Sequence, residues 1–358
     1  MKVVIETSFN DNFIARLTTL FRETTRYSIQ QSGVWIPTLI RYFMNNESFC
    51  FLTVRDGFEL ISCLCLQKKD KRFYKFFSYS IFYDLGNGVN DFFNIPCKGG
   101  REEEAATHYA KWFRENSPCW EQLRLQFLPE TKMHAAFVEA MQKYFPVQVS
   151  RDRLFYKINT NQSWDSYFTP EMNKRLRDVR GRKNRIDKSG HVVDSKVIDT
   201  GIEVFLDDFL VHFSKRRAEK GEKNSYEDEA KVKLIREVID AAKQDQSVQL
   251  SILEDKHGAV WAYQLDLMDR KSGVWYHYAP TFNDAYREFS PSKVLLFDSL
   301  KRAFADPEII EFNFMRGEAA YKKQFTDESE PYMEIQVTNS FSKKIKFQKL
   351  MAKIVGAS

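Results

Sequence analysis

Apolar and polar positions alternate over short, aromatic-rich runs in two distant parts of the chain. SFCFLTVRDGFELISCLCLQ (48–67) reads as a strand, an Asp56-Gly57 turn and a second strand. VQLSILEDKHGAVWAYQLDLMD (248–269) has the same form, with Gly258 in the turn. β-Branched and aromatic residues on both sides of turn formers are what a hairpin requires. The elements after each hairpin also match. An aromatic strand follows (KFFSYSIFYDL, then GVWYHYAP), and then a helix (REEEAATHYAKWFREN, then SPSKVLLFDSLKRAFAD). Next come a strand (WEQLRLQFLP, then EIIEFNFMRG) and a shorter helix (KMHAAFVEAMQKYF, then EAAYKKQF). Each half is expected to close on its own last strand, RLFYKINT in the first and PYMEIQVTN in the second.

The order β-β-β-α-β-α-β thus occurs twice, and strand–helix–strand successions predict parallel pairing within a helix-flanked sheet. Helices precede both repeats. NDNFIARLTTLFRET and the segment 36–45 open the first. Before the second, Thr169 as N-cap, Pro170 at the first helical position and Gly190 past the end predict one helix over 170–188. Its apolar stripe is Met172, Leu176, Val179 and Ile186. Residues 204–243 read as two helices broken near Gly221.

A length of 358 residues suits two domains, and 43% hydrophobic with 29% charged residues is a globular balance. A net charge of +5 does not by itself imply a nucleic-acid partner. The five cysteines lie between Cys50 and Cys119 with no C-x-x-C pair, so they read as reduced thiols without a metal site. The first residues lack the apolar run of a signal peptide, and no run approaches the roughly 20 apolar residues of a membrane span. The expectation is a soluble cytoplasmic protein.

The chemistry-bearing stretches lie in the second half. Trp164-Asp165-Ser166-Tyr167-Phe168 opens it, and the basic run KRLRDVRGRKNRIDKSG follows. Then come HFSKRRAEKG, the strand with Tyr276-His277-Tyr278, the helix start Phe289-Ser290-Pro291-Ser292, and finally Gly317, Tyr321, Lys322 and Phe325. In this order they resemble the GNAT acyltransferases, and more narrowly the CelD-like branch related to the FemAB peptidyltransferases, over about residues 160–340. The resemblance implies an α/β (α+β) fold of two tandem GNAT-like domains, each a mixed central sheet flanked by helices. The expected domains are 1–158, a non-catalytic GNAT-like domain; 159–340, the acyltransferase domain; and 341–358, a basic tail. Two departures are visible. Arg287-Glu288-Phe289-Ser290-Pro291-Ser292 keeps the Arg and spacing of the family's R/Q-x-x-G-x-G/A signature but has serine at both glycines. Asn313 also stands where the family usually carries Asp.

The resemblance implies acyl-CoA as donor, acetyl-CoA first, and no metal. The backbone of Ser292, Lys293 and Val294, with Ser290, Arg287 or the Lys293 side chain, would hold its pyrophosphate at a helix N-terminus. Candidate bases are His277 and Asp266; Tyr276 or Tyr278 would protonate the leaving thiolate, and alternation puts these two tyrosines on one face. Backbone N–H groups near Tyr263–Leu265 are the candidate oxyanion donors. Arg316, Gly317, Tyr321 and Lys322, with Arg177 and Arg180 from the basic helix, are the candidate acceptor residues. Each has a plainer structural reading: core aromatics, a structural histidine, a well-capped helix, a solvated charged face. The implied acceptor is a small amine, such as an amino sugar or sugar nucleotide of cell-envelope or polysaccharide assembly. The basic helix also fits contact with a membrane surface. The alternatives are a FemAB-like transferase using aminoacyl-tRNA, the one reading that involves nucleic acid, and a non-catalytic scaffold of polysaccharide assembly.

Overall fold

The computed structural model describes residues 1–6, 9–24, 28–33, 35–46, 48–73, 77–87, 90–198, 201–219, 229–242, 247–317 and 319–346. The predicted break near Gly221 and the end of the basic tail lie outside these residues. The chain divides into two compact units. Unit 1 is Met1–Arg153 with Pro331–Ser358, and unit 2 is Leu154–Glu330.

Unit 1 runs β1 (Lys2–Glu6), α1 (Asp11–Glu23), α2 (Trp35–Asn46), β2 (Ser48–Asp56), β3 (Glu59–Phe73), β4 (Phe77–Asp84), α3 (Glu102–Glu115), β5 (Gln122–Leu128) and α4 (Lys132–Gln142). β6 (Val147–Asn159) then leads out of it. In α1 the Asn10 side chain accepts from the Phe13 amide at 2.9 Å, and Phe13, Leu17, Leu20 and Phe21 form the buried face at helical spacing. β1 to β4 pair antiparallel in sequence order, and β4 and β5 pair in parallel.

Unit 2 begins in β6 and contains α5 (Trp164–Tyr167), α6 (Pro170–Arg175), α7 (Arg177–Lys188), β7 (Val193–Ile198), α8 (Ile202–Glu219), α9 (Glu229–Ala242), β8 (Val248–Asp255), β9 (Val260–Asp269), β10 (Val274–Phe282), α10 (Pro291–Ala305), β11 (Glu311–Arg316) and α11 (Lys322–Phe325). β12 (Ser329–Thr338) leaves unit 2 and returns to unit 1. The sheet order is β6-β11-β10-β9-β8-β7, with β10 and β11 parallel and the other neighbours antiparallel. α10 buries Val294, Leu295, Leu296, Phe297, Leu300 and Ala303. Leu296, Phe297, Leu300 and Ala303 share a core with Tyr156, Trp275, Phe312, Phe314 and Phe325.

Three expectations change. The last strands are exchanged: β6, expected to close the first repeat, pairs with β11 through Ile158↔Phe312, while β12 pairs with β5 through Ile335↔Leu125. Residues 331–338 therefore belong to unit 1, and the boundary at 340 falls too late. The helix over 170–188 is two helices meeting at Leu176, whose side chain is fully buried. Thr169 caps the first, and Gly190 at φ +85° ends the second as expected. Finally, β1 and β7 are edge strands that did not figure in the repeat.

The repeat itself is written in the backbone. Phe127 of β5 and Met315 of β11, which fall opposite one another when the two halves are aligned, both have φ +57°.

Candidate active site

β10 and β11 pair only over Val274↔Glu311, Trp275↔Phe312 and Tyr276↔Asn313. Beyond that point both strands are bulged. In β10, His277 and Tyr278 lie opposite the single residue Asp266 of β9; in β11, Phe314 and Met315 lie opposite Tyr156 of β6. Two bulges facing each other at the last paired rung make the parallel strands part. Bulges of this kind end pairing and re-aim side chains beside sites. The bulge also stops the strict alternation that was to place Tyr276 and Tyr278 on one face. Asn313 stabilises the β11 bulge: its Oδ1 accepts from the Met315 amide at 2.8 Å and its Nδ2 donates to Glu311 at 2.8 Å. An aspartate there would lose the second bond and face Glu311 with like charge.

At the parting point Asp266 and His277 meet in the core. Their side chains are 0% and 1% exposed, with His277 Nδ1 3.3 Å from Asp266 Oδ1. Asp266 Oδ2 accepts from Trp275 Nε1 at 2.8 Å and from Gln264. His277 Nε2 is buried and has no hydrogen-bond partner among the described residues. The ring lies 6.0 Å from Phe312, 6.0 Å from Phe314 and 6.4 Å from Tyr321. Burial, and then the Asp266 charge, push the Tyr321 phenol up. Tyr276 is buried and Tyr278 half-buried. Tyr263–Leu265 do not serve as oxyanion donors: this part of β9 is laddered to β8 on one side and β10 on the other, which commits its amides. The edge of β10 that faces β11 past Tyr276 has no ladder partner among the described residues.

Two short 3₁₀ turns (Asp284–Phe289), kinked at Tyr286, lead into α10. Ser290 joins them at φ +48°, a left-handed conformation natural to glycine. Serine thus keeps the backbone that the signature's first glycine would supply. Its side chain does not cap α10; Arg182 of α7 instead donates to its Oγ at 2.6 Å. Arg182 also holds Asp178 at 2.7 Å, which lowers that carboxyl. Lys293, half-buried in the first turn of α10, donates to Gln324 at 3.0 Å. Burial, and then the neighbouring Arg182 charge, push its ammonium down. Two cations therefore sit beside a helix start with no acidic residue in its first turn. Arg287 is placed elsewhere, on Glu219 and, at 2.8 Å, on Asp284. Arg182 is the residue that the sequence reading passed over. It lay inside a charge run, and only the fold brings it to Ser290.

Beyond β11, Gly317 turns at φ +102°, where a side chain is strained. Lys322, 4% exposed, donates to the carbonyls of Arg316 at 2.6 Å and Met315 at 3.1 Å. It clasps the bulged strand end instead of facing an acceptor as expected. Arg316 is half-buried. Arg177 and Arg180 are exposed; Arg180 bonds Asn173 and lies 5.7 Å from the Phe168 ring.

Unit 1 has the same frame and the same bulge in β5, where Gln126 and Phe127 lie opposite Glu334 of β12, but it differs elsewhere. The β3–β4 ladder is continuous, without a bulge. The connection after β4 bonds β5 through Phe93 N–H to Phe127 O at 3.2 Å, and β3 through Cys63 N–H to Pro96 O at 3.2 Å. It therefore lies across the end of β4, burying Phe92, Phe93 and Ile95. The helix that corresponds to α10 starts with Glu102, Glu103 and Glu104.

A family model for the acetyltransferase (GNAT) domain matches residues 173–323. Curated protein sequences give no significant match. Among solved structures the chain is similar to FemX, with a TM-score of 0.56 at 11% identity, covering 95% of this chain and 98% of that one. It is similar as well to the C-terminal domain of an Agrobacterium fabrum protein assigned as a lysylphosphatidylglycerol synthetase, at 0.56 and 10%, covering 95% of each. A Bacteroides thetaiotaomicron protein of unknown function matches at 0.56 and 12%, covering 91% and 97%. At these identities the likeness is one of fold. Residues 173–323 of this chain therefore carry a GNAT acetyltransferase-type domain, within the fold that the chain shares with FemX.

Proposed function

We propose that the protein is an N-acyltransferase that moves an acyl group from acyl-CoA to an amine, with a single donor site in unit 2. The observation that carries this reading is the start of α10. The amides of a helix's first turn have no partner within it, and the helix dipole favours an anion there. Ser292 and Val294 supply such amides, the Lys293 amide being taken by the Ser290 carbonyl at 3.0 Å, and Arg182 and Lys293 add charge. The equivalent helix of unit 1 carries three glutamates, which repel a pyrophosphate, so unit 1 is read as non-catalytic. The thioester would lie where β10 and β11 part, with bulge amides of β10 facing its carbonyl oxygen. The amine attacks directly, without an acyl-enzyme. The acceptor class we favour is an amino sugar or another cell-envelope precursor, in the cytoplasm. The exposed cations Lys174, Arg177, Lys183 and Lys188 favour, as a second reading, an aminoacyl-tRNA donor.

Calorimetric titration with acetyl-CoA tests the donor site. Each of Arg182→Ala and Lys293→Ala is expected to weaken binding about tenfold, the worth of one charge-assisted hydrogen bond. Arg287→Ala is expected to change it less than about twofold, because its exposed guanidinium bonds Glu219 and Asp284, whereas Arg182, though paired with Asp178, keeps one N–H on Ser290 at the helix start. Saturable binding that depends on Arg287 and not on Arg182 would relocate the site. No saturable heat at all would sink the acyl-CoA reading.

A further inference from the structure

We propose that His277 is the base that takes the proton from the attacking amine, and that Asp266 is the positioning residue that fixes its tautomer; this rests on the acyl-transfer reading above. The tautomer follows from the donor inventory. Asp266 Oδ2 already accepts two N–H donors, from Trp275 and Gln264, as a carboxylate does. A carboxylate facing Nδ1 at 3.3 Å requires that Nδ1 carry the proton. Nε2 is then an unprotonated acceptor. It is fully buried, and among the described residues nothing donates to it.

An unmet buried acceptor costs about 1–3 kcal/mol. An N–H brought to that atom by a substrate, or an O–H by water, recovers the loss. The position suits the chemistry. His277 is in the β10 bulge, one residue past the last rung shared with β11, and its ring is near Phe312 and Phe314 on the other strand. Among the described residues the charged or titratable groups around the pair are few: Asp266 from β9, Tyr321 from the turn before α11, and Arg302 from α10, whose charge is felt at Asp266. β11 contributes the two phenylalanine rings. The amine nitrogen forms the bond to the thioester carbon, the C–S bond breaks, and the nitrogen's proton goes to Nε2. The imidazole then passes that proton to the thiolate or to water and is neutral again.

The test uses the full chain and two readouts. Thiol release from acetyl-CoA, with water as the acceptor, is followed from about pH 5 to about pH 9, while calorimetry reports donor binding. His277→Gln and Asp266→Asn are expected to bind acetyl-CoA as the wild type does. Both are expected to release thiol about a hundredfold more slowly, within the usual worth of a positioned base. The rising limb of the pH profile should vanish in His277→Gln. Unchanged rates, an unchanged limb, or wild-type release no faster than in buffer would overturn the proposal with donor binding intact. Absence of donor binding would overturn the acyl-transfer reading instead. Imidazole ¹⁵N spectra of the wild type decide the premise even where a variant fails to fold. Nε2 is expected without a proton, and a proton found there overturns the assignment.

Discussion

Ser290 shows how a residue can replace a motif's glycine without changing the backbone that the motif encodes. Its φ of +48° costs a non-glycine residue about 1 kcal/mol. The Arg182 hydrogen bond to Oγ gives part of that back. Ser290→Gly is therefore expected to change global stability by less than about 1 kcal/mol, since it removes strain and one hydrogen bond together. It is also expected to free the Nη1 donor of Arg182 and strengthen acetyl-CoA binding. Chemical denaturation and titration on the same samples check both parts, and weaker binding in the glycine variant would show that Oγ itself holds the donor. His134 belongs to the same scale. Buried between the Ile95 amide at 3.1 Å and the Pro129 carbonyl, it is held neutral, its pKa lowered by burial to about 4. The unfolded chain takes up this proton first as pH falls. Stability is thus complete above about pH 6.5 and lost between there and about pH 4, by roughly 3 kcal/mol. In His134→Gln the acid limb should be shallower by about that amount; an equal slope would mean that the carboxylates alone set it.

At the scale of the element, the strand–bulge–clasp at the end of β11 separates what was legible in the sequence from what was not. The hairpins, the helix starts at Thr169 and Pro291, and the turn at Gly317 are local events, and period-2 apolar runs and turn residues announce them. The bulges at His277–Tyr278 and Phe314–Met315 leave no such mark, because an extra residue in a strand looks like any other aromatic. Hence strict alternation breaks where β10 and β11 part, and burial of Lys322 against its own backbone is not legible in a Tyr-Lys-Lys run. Lys322 holds two carbonyls of the bulged end, and Lys322→Met removes both bonds. The expected cost is about 1–3 kcal/mol of stability with acetyl-CoA affinity unchanged in what remains folded. Full stability with lost turnover would return Lys322 to the acceptor site.

At the scale of the whole molecule, chain order and unit membership diverge, and the divergence is testable. Arg182, Ser290 and Lys293 meet, though 111 positions separate the first from the last, because α7 and α10 belong to one unit. The exchange of β6 and β12 is equally non-local. Nothing in RLFYKINT or PYMEIQVTN says which β-strand each will pair with, since both are short aromatic-aliphatic strands with similar alternation. Each repeat is therefore completed by the strand that lies next to the other repeat in sequence. Unit 1 depends on residues made last: Tyr332, Met333, Ile335 and Val337 of β12 are all buried, and β12 covers the edge of β5. A chain ending at Glu330 leaves that edge bare, along with the apolar contacts of four side chains, each worth roughly 1.5–3 kcal/mol when fully buried. Amide exchange in the truncated chain is expected to rise across β5 (Gln122–Leu128). Protection of the β11 rungs Glu311–Asn313, which pair with β6 and β10, should persist. A sequential arrangement, with β12 closing its own repeat, requires the reverse: loss at β11 with β5 intact.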